Sequence, residues 1–230
     1  MGSVWLGRGR DLTVAEPPRT RTGFLIHRRA RAYGTMPGVS HPVYLVRHGQ
    51  SRWNVQRRTQ GQTSHPPLTA LGREQARAAG EVIAADVRER GLVVDGIISS
   101  DLVRAQQSAQ ILARRFDVAV REDARLREQH LGRLQGRSYE ETWAAADQVD
   151  WSDPRVAIGG GESLQDVYDR MAQVLRELDR ARVLVLVSHG DAIRAALAYL
   201  RGSAPHEAEW VEVPNGAVAR IEANLSWLGQ

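Results

Sequence analysis

Two short runs in this chain, Val43-Tyr44-Leu45-Val46 and Val183-Leu184-Val185-Leu186-Val187, are continuously apolar, and each ends within two residues in a histidine followed by glycine. The first continues as Arg47-His48-Gly49-Gln50-Ser51 and the second as Ser188-His189-Gly190. Strands without polar alternation are buried on both faces, as in a parallel sheet covered by helices. Open α/β sheets gather their ligands at the carboxyl ends of such strands. Glycine after each histidine permits a tight turn close to a ligand. One His-Gly pair after a strand is usually only a turn; two of them suggest two imidazoles over one pocket.

The rest of the chain alternates in kind. Ser51 to Arg58 suits a short helix. Thr69 is placed to cap a longer one, with helical spacing through Leu71, Gln75, Ala79, Val82, Ile83 and Val87 until Gly91 stops it. Asp95 to Ser100 reads as a second buried strand, with Asp101 at the head of a helix carrying Ala105, Ala109, Ile111 and Leu112. A short strand is expected at Val118 to Val120, a loop from Leu126 to Gly136, and a helix from Tyr139 capped by Ser138. Ser163, with Asp166 in the capping-box position, opens a helix to about Arg180. After the second His-Gly pair, Ile193, Leu197 and Leu200 mark a helix ending at Gly202, and Val218 to Ile221 would close the sheet. Alternating strands and helices predict an α/β fold with a largely parallel sheet.

Composition narrows the chemistry. The chain has 230 residues and no cysteine, which rules out disulfides, thiol catalysis and Cys-ligated metals. It also has no lysine, so a Walker-type lysine, a Schiff base and a Ser-Lys dyad are excluded. Residues 1–40 hold seven arginines against Asp11 and Glu16, a balance of +5, leaving 24 against 25, or −1, for the rest. The folded part is therefore nearly neutral and no nucleic-acid partner is expected for it. Residues 1–40, rich in Arg, Pro and Gly, read as a disordered and dispensable extension, or as a start assigned ahead of Met36; residues 41–230 form the domain. No run reaches the roughly 18 apolar residues of a membrane span and no signal peptide is visible. A cytoplasmic location without membrane contact is expected; a homo-oligomer is left open.

Arg47 precedes His48, Arg104 falls in the first turn of the helix after Ser99-Ser100-Asp101-Leu102-Val103, and His189 ends the later strand. Two guanidiniums, two imidazoles and a helix N-terminus at one sheet edge repel one another unless an anion joins them. Phosphate suits guanidinium geometry best, and with no P-loop and no metal-ligand spacing the expected nucleophile is a histidine.

The ordered set Arg47-His48-Gly49-Gln50-Ser51 with Asn54, Gln60-Gly61-Gln62, Pro67-Leu68-Thr69 with Gly72, Ser99-Ser100-Asp101-Leu102 with Arg104-Ala105, Leu126-Arg127-Glu128 with Gly132 and Gly136, Gly161-Glu162-Ser163 and Ser188-His189-Gly190 resembles the histidine phosphatase superfamily, in its phosphoglycerate mutase-like branch. The resemblance covers about residues 42–222. It implies a three-layer α/β sandwich with a mostly parallel central sheet flanked by helices. It implies that His48 attacks phosphorus, while Arg47, Arg104, His189 and Gly190 belong to the phosphate site, completed by Asn54 and the Gly61 backbone. Glu128 would protonate the leaving oxygen and then deprotonate the acceptor. His48 would be held neutral by a backbone carbonyl at its other nitrogen. No metal or other cofactor is implied.

Glu122, Asp123 and Asp191 compete with Glu128 for the acid role, Asp191 because a related branch places its acid just after the second histidine. Leu131 and Leu134 are expected to wall Glu128 with apolar surface. Trp143 and Trp151 are expected either to line a substrate pocket or to pack. Gly161-Glu162-Ser163 reads as a helix-capping loop near the site. The segment from Arg137 to Pro154 is short and holds Glu140, Glu141, Asp147, Asp150 and Asp153 against one arginine, where mutases of this kind carry a long basic insertion. The expected activity is thus metal-independent hydrolysis of a small phosphomonoester. The alternatives are a phosphoglycerate mutase-type phosphoryl transferase, favoured by the wording Gln129 to Gly136, and a catalytically idle domain that binds phospho-ligands. An Arg-arm nucleic-acid binder would need residues 1–40.

Overall fold

The computed structural model describes residues 41–222 and 224–229, so the expectations for residues 1–40 lie outside the described residues. Six strands form one sheet: β1 (Val43–Arg47), β2 (Gly96–Ser99), β3 (Val120–Glu122), β4 (Leu184–Ser188), β5 (Val218–Ile221) and β6 (Leu225–Leu228). Their order is β3-β2-β4-β1-β5-β6. β1 to β4 are mutually parallel where they pair, while β5 runs antiparallel to β1 and β6 antiparallel to β5. The mostly parallel sheet matches the reading of the apolar runs.

The helices are α1 (Arg52–Val55), α2 (Ala70–Glu89), α3 (Val103–Phe116), α4 (Tyr139–Ala146), α5 (Leu164–Glu177) and α6 (Gly190–Leu200). Side chains alternate across the sheet, so each apolar strand feeds two cores. Val43 and Leu45 of β1, with Leu184 and Leu186 of β4, pack on Met171 and Leu175 of α5 and Ile193 and Leu197 of α6. Tyr44 and Val46, with Val185 and Val187, face Ile83 of α2 and Ala105, Ala109 and Leu112 of α3. Helices on both faces make three layers. Each fully buried Leu or Ile contributes about 1.5–3 kcal/mol, so the central strands are the best-anchored parts of the molecule. Among the described residues no helix is long and apolar enough to cross a membrane.

Several boundaries differ from expectation. The third strand lies at Val120–Glu122 rather than Val118 to Val120, α1 stops at Val55 and α5 at Glu177. β5 does not close the sheet: Asn224 turns the chain and β6 adds an outer strand, its four residues only half-buried. Asp101 lies at the head of α3 as read; Leu102 takes the cap position without a side-chain bond, and the Asp101 carboxylate pairs with Arg127. The loop from Leu126 to Gly136 is a loop apart from a tight turn at Gly132–Leu134. The caps Thr69, Ser138 and Ser163 are as read, the last two as full capping boxes with Glu141 and Asp166.

Candidate active site

Parallel pairing sets the site. Arg47 stands opposite Ser188 in the register of β1 and β4, and the His48 amide donates to the Ser188 carbonyl at 3.0 Å. His48 and His189 therefore leave adjacent strands side by side, with ring centroids 5.0 Å apart. β2 ends beside them in Ser99-Ser100. Arg104, in the first turn of α3, reaches across the same edge and is wholly buried. His48 and His189 are buried too.

The hydrogen bonds on His48 identify its tautomer. Nδ1 lies 2.7 Å from the Gly49 carbonyl, which can only accept, so Nδ1 carries the proton. Nε2 receives the Nε–H of Arg104 at 3.3 Å, and a guanidinium can only donate, so Nε2 presents its lone pair. Burial first, then the charges of Arg104 and Arg47, push His48 well below the ordinary histidine range. His48 is thus a neutral imidazole with an available lone pair at pH 7.

Backbone carbonyls hold both guanidiniums. Arg104 donates to Thr63 at 3.1 Å and to Gly61 at 2.7 Å. Arg47 donates to the Val213 carbonyl, and its own carbonyl faces the Gly216 amide. Burial pulls Arg104 down to about 10, opposed by Glu128 and assisted by Arg47, so it stays cationic at neutral pH. His189 Nε2 lies 2.9 Å from the Ser100 hydroxyl, whose oxygen also accepts from the Leu102 amide. With that hydroxyl hydrogen turned to Nε2, Nδ1 of His189 carries its proton. Among the described residues, the buried His189 Nδ1 and Arg47 Nε meet no hydrogen-bond partner. Buried polar atoms are nearly always paired, so these two are the groups an anion's oxygens would satisfy.

Glu128 sits at the N-terminus of α6. Its Oε1 accepts from the amides of Gln129 at 3.0 Å, Asp191 at 3.0 Å and Ala192 at 3.2 Å. A Cβ added to Gly190 would lie 3.7 Å from both Arg47 Cζ and Glu128 Oε2, which shows how closely the two groups flank this glycine. The carboxyl feels opposing influences. Burial and the Asp191 charge raise its pKa, while the Gln129 amide, Arg47 and Arg104 lower it; the raising effects win. Leu131 and Leu134 do not explain that rise, for they pack in a separate cluster with Ala146 and Ile158. The competing carboxylates are engaged elsewhere. Asp123 pairs with Arg125, Asp191 pairs with Arg194 at 2.7 Å, and Glu122 is exposed at the end of β3.

The remaining expected residues vary in placement. Gly61 has φ +49°, and a side chain there would strike Gln135. Its carbonyl is committed to Arg104. Asn54 uses Oδ1 to cap α1 through Ser51, leaving Nδ2 within 3.4 Å of the Tyr139 hydroxyl. Tyr139 is close enough to affect the charges on Arg47 and Arg104, a neighbour with no signature in the sequence. Trp143 lies against Tyr139, under Arg57, one turn further along the same face of α4. Trp151 packs instead: its indole donates to the Ala146 carbonyl at 3.0 Å. Among the described residues, no group of three or more His, Asp and Glu side chains could hold a metal ion. A separate cleft of about 370 Å³, lined by Asp95, Ile97, Val120, Arg121, Glu177 and Arg182, opens at the amino ends of β2 and β3, away from all these groups.

Comparison with known proteins agrees with this geometry. Residues 43–225 match the sequence profile of the histidine phosphatase superfamily (branch 1). A protein of Salmonella choleraesuis (strain SC-B67), named probable phosphoglycerate mutase GpmB, is 38% identical over 196 residues, spanning 81% of this chain and 87% of its own. A mycobacterial glucosyl-3-phosphoglycerate phosphatase solved with VO3 superimposes with a TM-score of 0.69 at 32% identity, over 83% of this chain and 98% of that one.

Proposed function

This chain belongs to branch 1 of the histidine phosphatase superfamily, and we propose that it hydrolyses a small phosphomonoester through a phosphohistidine formed on His48. The observation that carries this reading is the tautomer of His48. A neutral imidazole with its lone pair on Nε2, against the buried guanidinium of Arg104 and within the field of Arg47, is a prepared nucleophile for phosphorus.

In the first half-reaction Nε2 attacks phosphorus and the P–O bond to the leaving group breaks. Arg47 and Arg104 balance the charge on the phosphoryl oxygens and neutral His189 donates to them from Nδ1, with Asn54 Nδ2, the Gly61 loop and the start of α6 at Gly190 completing the site. Glu128, protonated at the outset, passes its proton to the departing oxygen. A bound phosphate dianion raises the pKa of this carboxyl further. In the second half-reaction water attacks phosphorus, the P–N bond breaks, and Glu128 takes the water's proton. His48 is released neutral and Glu128 protonated, so the cycle closes.

Hydrolysis is favoured over transfer to a second phosphate ester by the pairing of the arginines that a second anion would need. A mutase must hold two anions. Here Arg57 pairs with Glu140, Arg127 with Asp101 and Arg194 with Asp191, and the segment 137–154 is acidic. The mutase reading retains support from the name and 38% identity of the Salmonella relative. An idle phospho-ligand-binding domain would have no need of a carboxyl with a raised pKa beside a neutral histidine. The reading takes a small phosphorylated metabolite in the cytoplasm as the partner, without nucleic acid or membrane.

The test is phosphate release from a panel of phosphomonoesters, including glucosyl-3-phosphoglycerate, by wild type and His48→Ala in the presence of a chelator. A parallel assay follows 3-phosphoglycerate with 2,3-bisphosphoglycerate for isomerisation. Release that persists with chelator and disappears in His48→Ala supports hydrolysis; isomerisation faster than release would replace this reading with the mutase.

A further inference from the structure

Arg170 projects from α5 toward the back of the loop that carries Glu128. Its Nη1 donates to the carbonyls of Arg125 and Arg127, both at 2.6 Å, and its Nη2 to the carbonyl of Glu128 at 3.0 Å. The same guanidinium forks onto Glu162, with Nε to Oε1 at 2.9 Å and Nη2 to Oε2 at 3.0 Å. Glu162 in turn accepts from the His130 amide at 2.8 Å and from Gln62 Nε2 at 3.1 Å. Its backbone finishes the junction, accepting from Gln129 Nε2 at 2.8 Å and donating to the His130 carbonyl at 2.7 Å.

The junction spans both sides of the site. Gln62 Nε2 also donates to the Glu128 carbonyl at 3.0 Å, and Gln62 directly follows Gly61, whose carbonyl holds Arg104. One ion pair thus ties the backbone of the proton donor to the loop that seats the guanidinium on His48. Arg170 and Glu162 are largely shielded, at 13% and 23% side-chain exposure; their hydrogen bonds go to each other, to main chain and to Gln62, while the Arg170 charge also reaches His189. A pair with so many main-chain partners sets distance and does no chemistry itself.

We infer that Arg170 and Glu162 are positioning residues that fix the separation between the Glu128 carboxyl and the His48–Arg104 pair, and so govern proton delivery to the leaving group. This inference rests on the reading of Glu128 as proton donor. Both charges are used: in either orientation of its amide Glu162→Gln would turn an NH2 group toward at least one N–H donor and remove the anion facing Arg170, and Arg170→Lys cannot serve three carbonyls and a carboxylate from one plane.

The experiment compares release of the alcohol in the first turnover from an alkyl phosphomonoester and from 2,4-dinitrophenyl phosphate, whose leaving group needs no proton. Full-length wild type, Glu162→Gln, Arg170→Lys, Glu128→Gln and the double variants with Glu128→Gln are measured, with melting temperatures for each. Glu162→Gln and Arg170→Lys should slow alkyl release by about tenfold to a hundredfold, the scale of a misplacement near 1 Å, and leave dinitrophenol release almost unchanged. On the Glu128→Gln background they should add almost nothing. Arg170→Lys retains a cation on α5 and serves if Glu162→Gln lowers the folded fraction. Equal slowing of both substrates, or losses that add fully to that of Glu128→Gln, would overturn the inference. If Glu128→Gln itself slowed both equally, the assignment of Glu128 would fall, and the inference with it.

Discussion

The Nε–H of Arg104 points at Nε2 of His48 across 3.3 Å, the same nitrogen that the Gly49 carbonyl leaves unprotonated from the other side of the ring. Arg104 therefore does two things: it secures the tautomer before substrate arrives and sits where charge accumulates as the P–N bond forms. Arg104→Lys cannot reproduce the contacts to Thr63, Gly61 and His48 together. It should lower kcat by about 10²–10³, as loss of a preorganised charge-stabilising donor does. Steady-state kinetics on the best substrate, with kcat separated from KM, check this.

The alkaline side of the pH profile should report Glu128. Its folded pKa is raised, chiefly by burial and Asp191, and the first half-reaction needs the protonated form. kcat/KM for an alkyl phosphate should fall as pH rises through that raised value. In Asp191→Asn, with one of the raising charges removed, the fall should begin at lower pH. A pH series on the two proteins is sufficient.

Stability of the ligand-free protein should decline on mild acidification. His48 and His189 both have folded pKa values well below the ordinary 6.5, mainly through burial. Below about pH 6.5 the unfolded chain binds these protons and the folded chain does not, so stability is lost as pH falls. The slope from the two together approaches about 2.7 kcal/mol per pH unit at most. Glu128 works with the opposite sign, since its raised pKa favours the folded state below that value and weakens it above. Urea unfolding from pH 7.5 to 5.5 should show a shallower slope in a His48→Gln, His189→Gln double variant.

Backbone packing behind the nucleophile is also testable. A Cβ on Gly72, in the first turn of α2, would fall well inside contact distance of the Gln50 carbonyl, and one on Gly49 would strike the Gly72 carbonyl. Gly72→Ala should cost about 1–3 kcal/mol of stability. It should also lower kcat by moving the 49–50 backbone that orients His48. Ser163→Ala makes a smaller change: loss of this helix cap should cost about 1 kcal/mol of stability.

What was legible in the sequence followed from where the information is stored. Val43 to Val46 and Val183 to Val187 announced themselves because every side chain on them is apolar, and the two cores they feed explain why. His48, Arg104, His189 and Glu128 were readable because their neighbours carry recognisable motifs. β6 was not, since its half-buried residues give no clear period after Asn224. The Arg170–Glu162 junction was equally silent. Arg170 is one of two arginines along α5, and most of its partners are main-chain carbonyls that no residue type signals. The place of Asp101 at the head of α3 was legible, but its pairing with Arg127 was not. The wall expected from Leu131 and Leu134 failed because Gly132, at φ +50°, turns the chain between them into a different cluster.

The most direct test of the central claim is to trap the covalent intermediate. Wild type and His48→Ala would be mixed briefly with a phosphomonoester that the wild type turns over, denatured at alkaline pH where phosphohistidine survives, and digested for mass spectrometry. The account predicts one added phosphoryl group on the peptide containing His48, its amount tracking the burst of released alcohol, and none in His48→Ala. Turnover by wild type with phosphate release but no phosphoryl group on His48 at any mixing time, together with undiminished activity in His48→Ala, would contradict it.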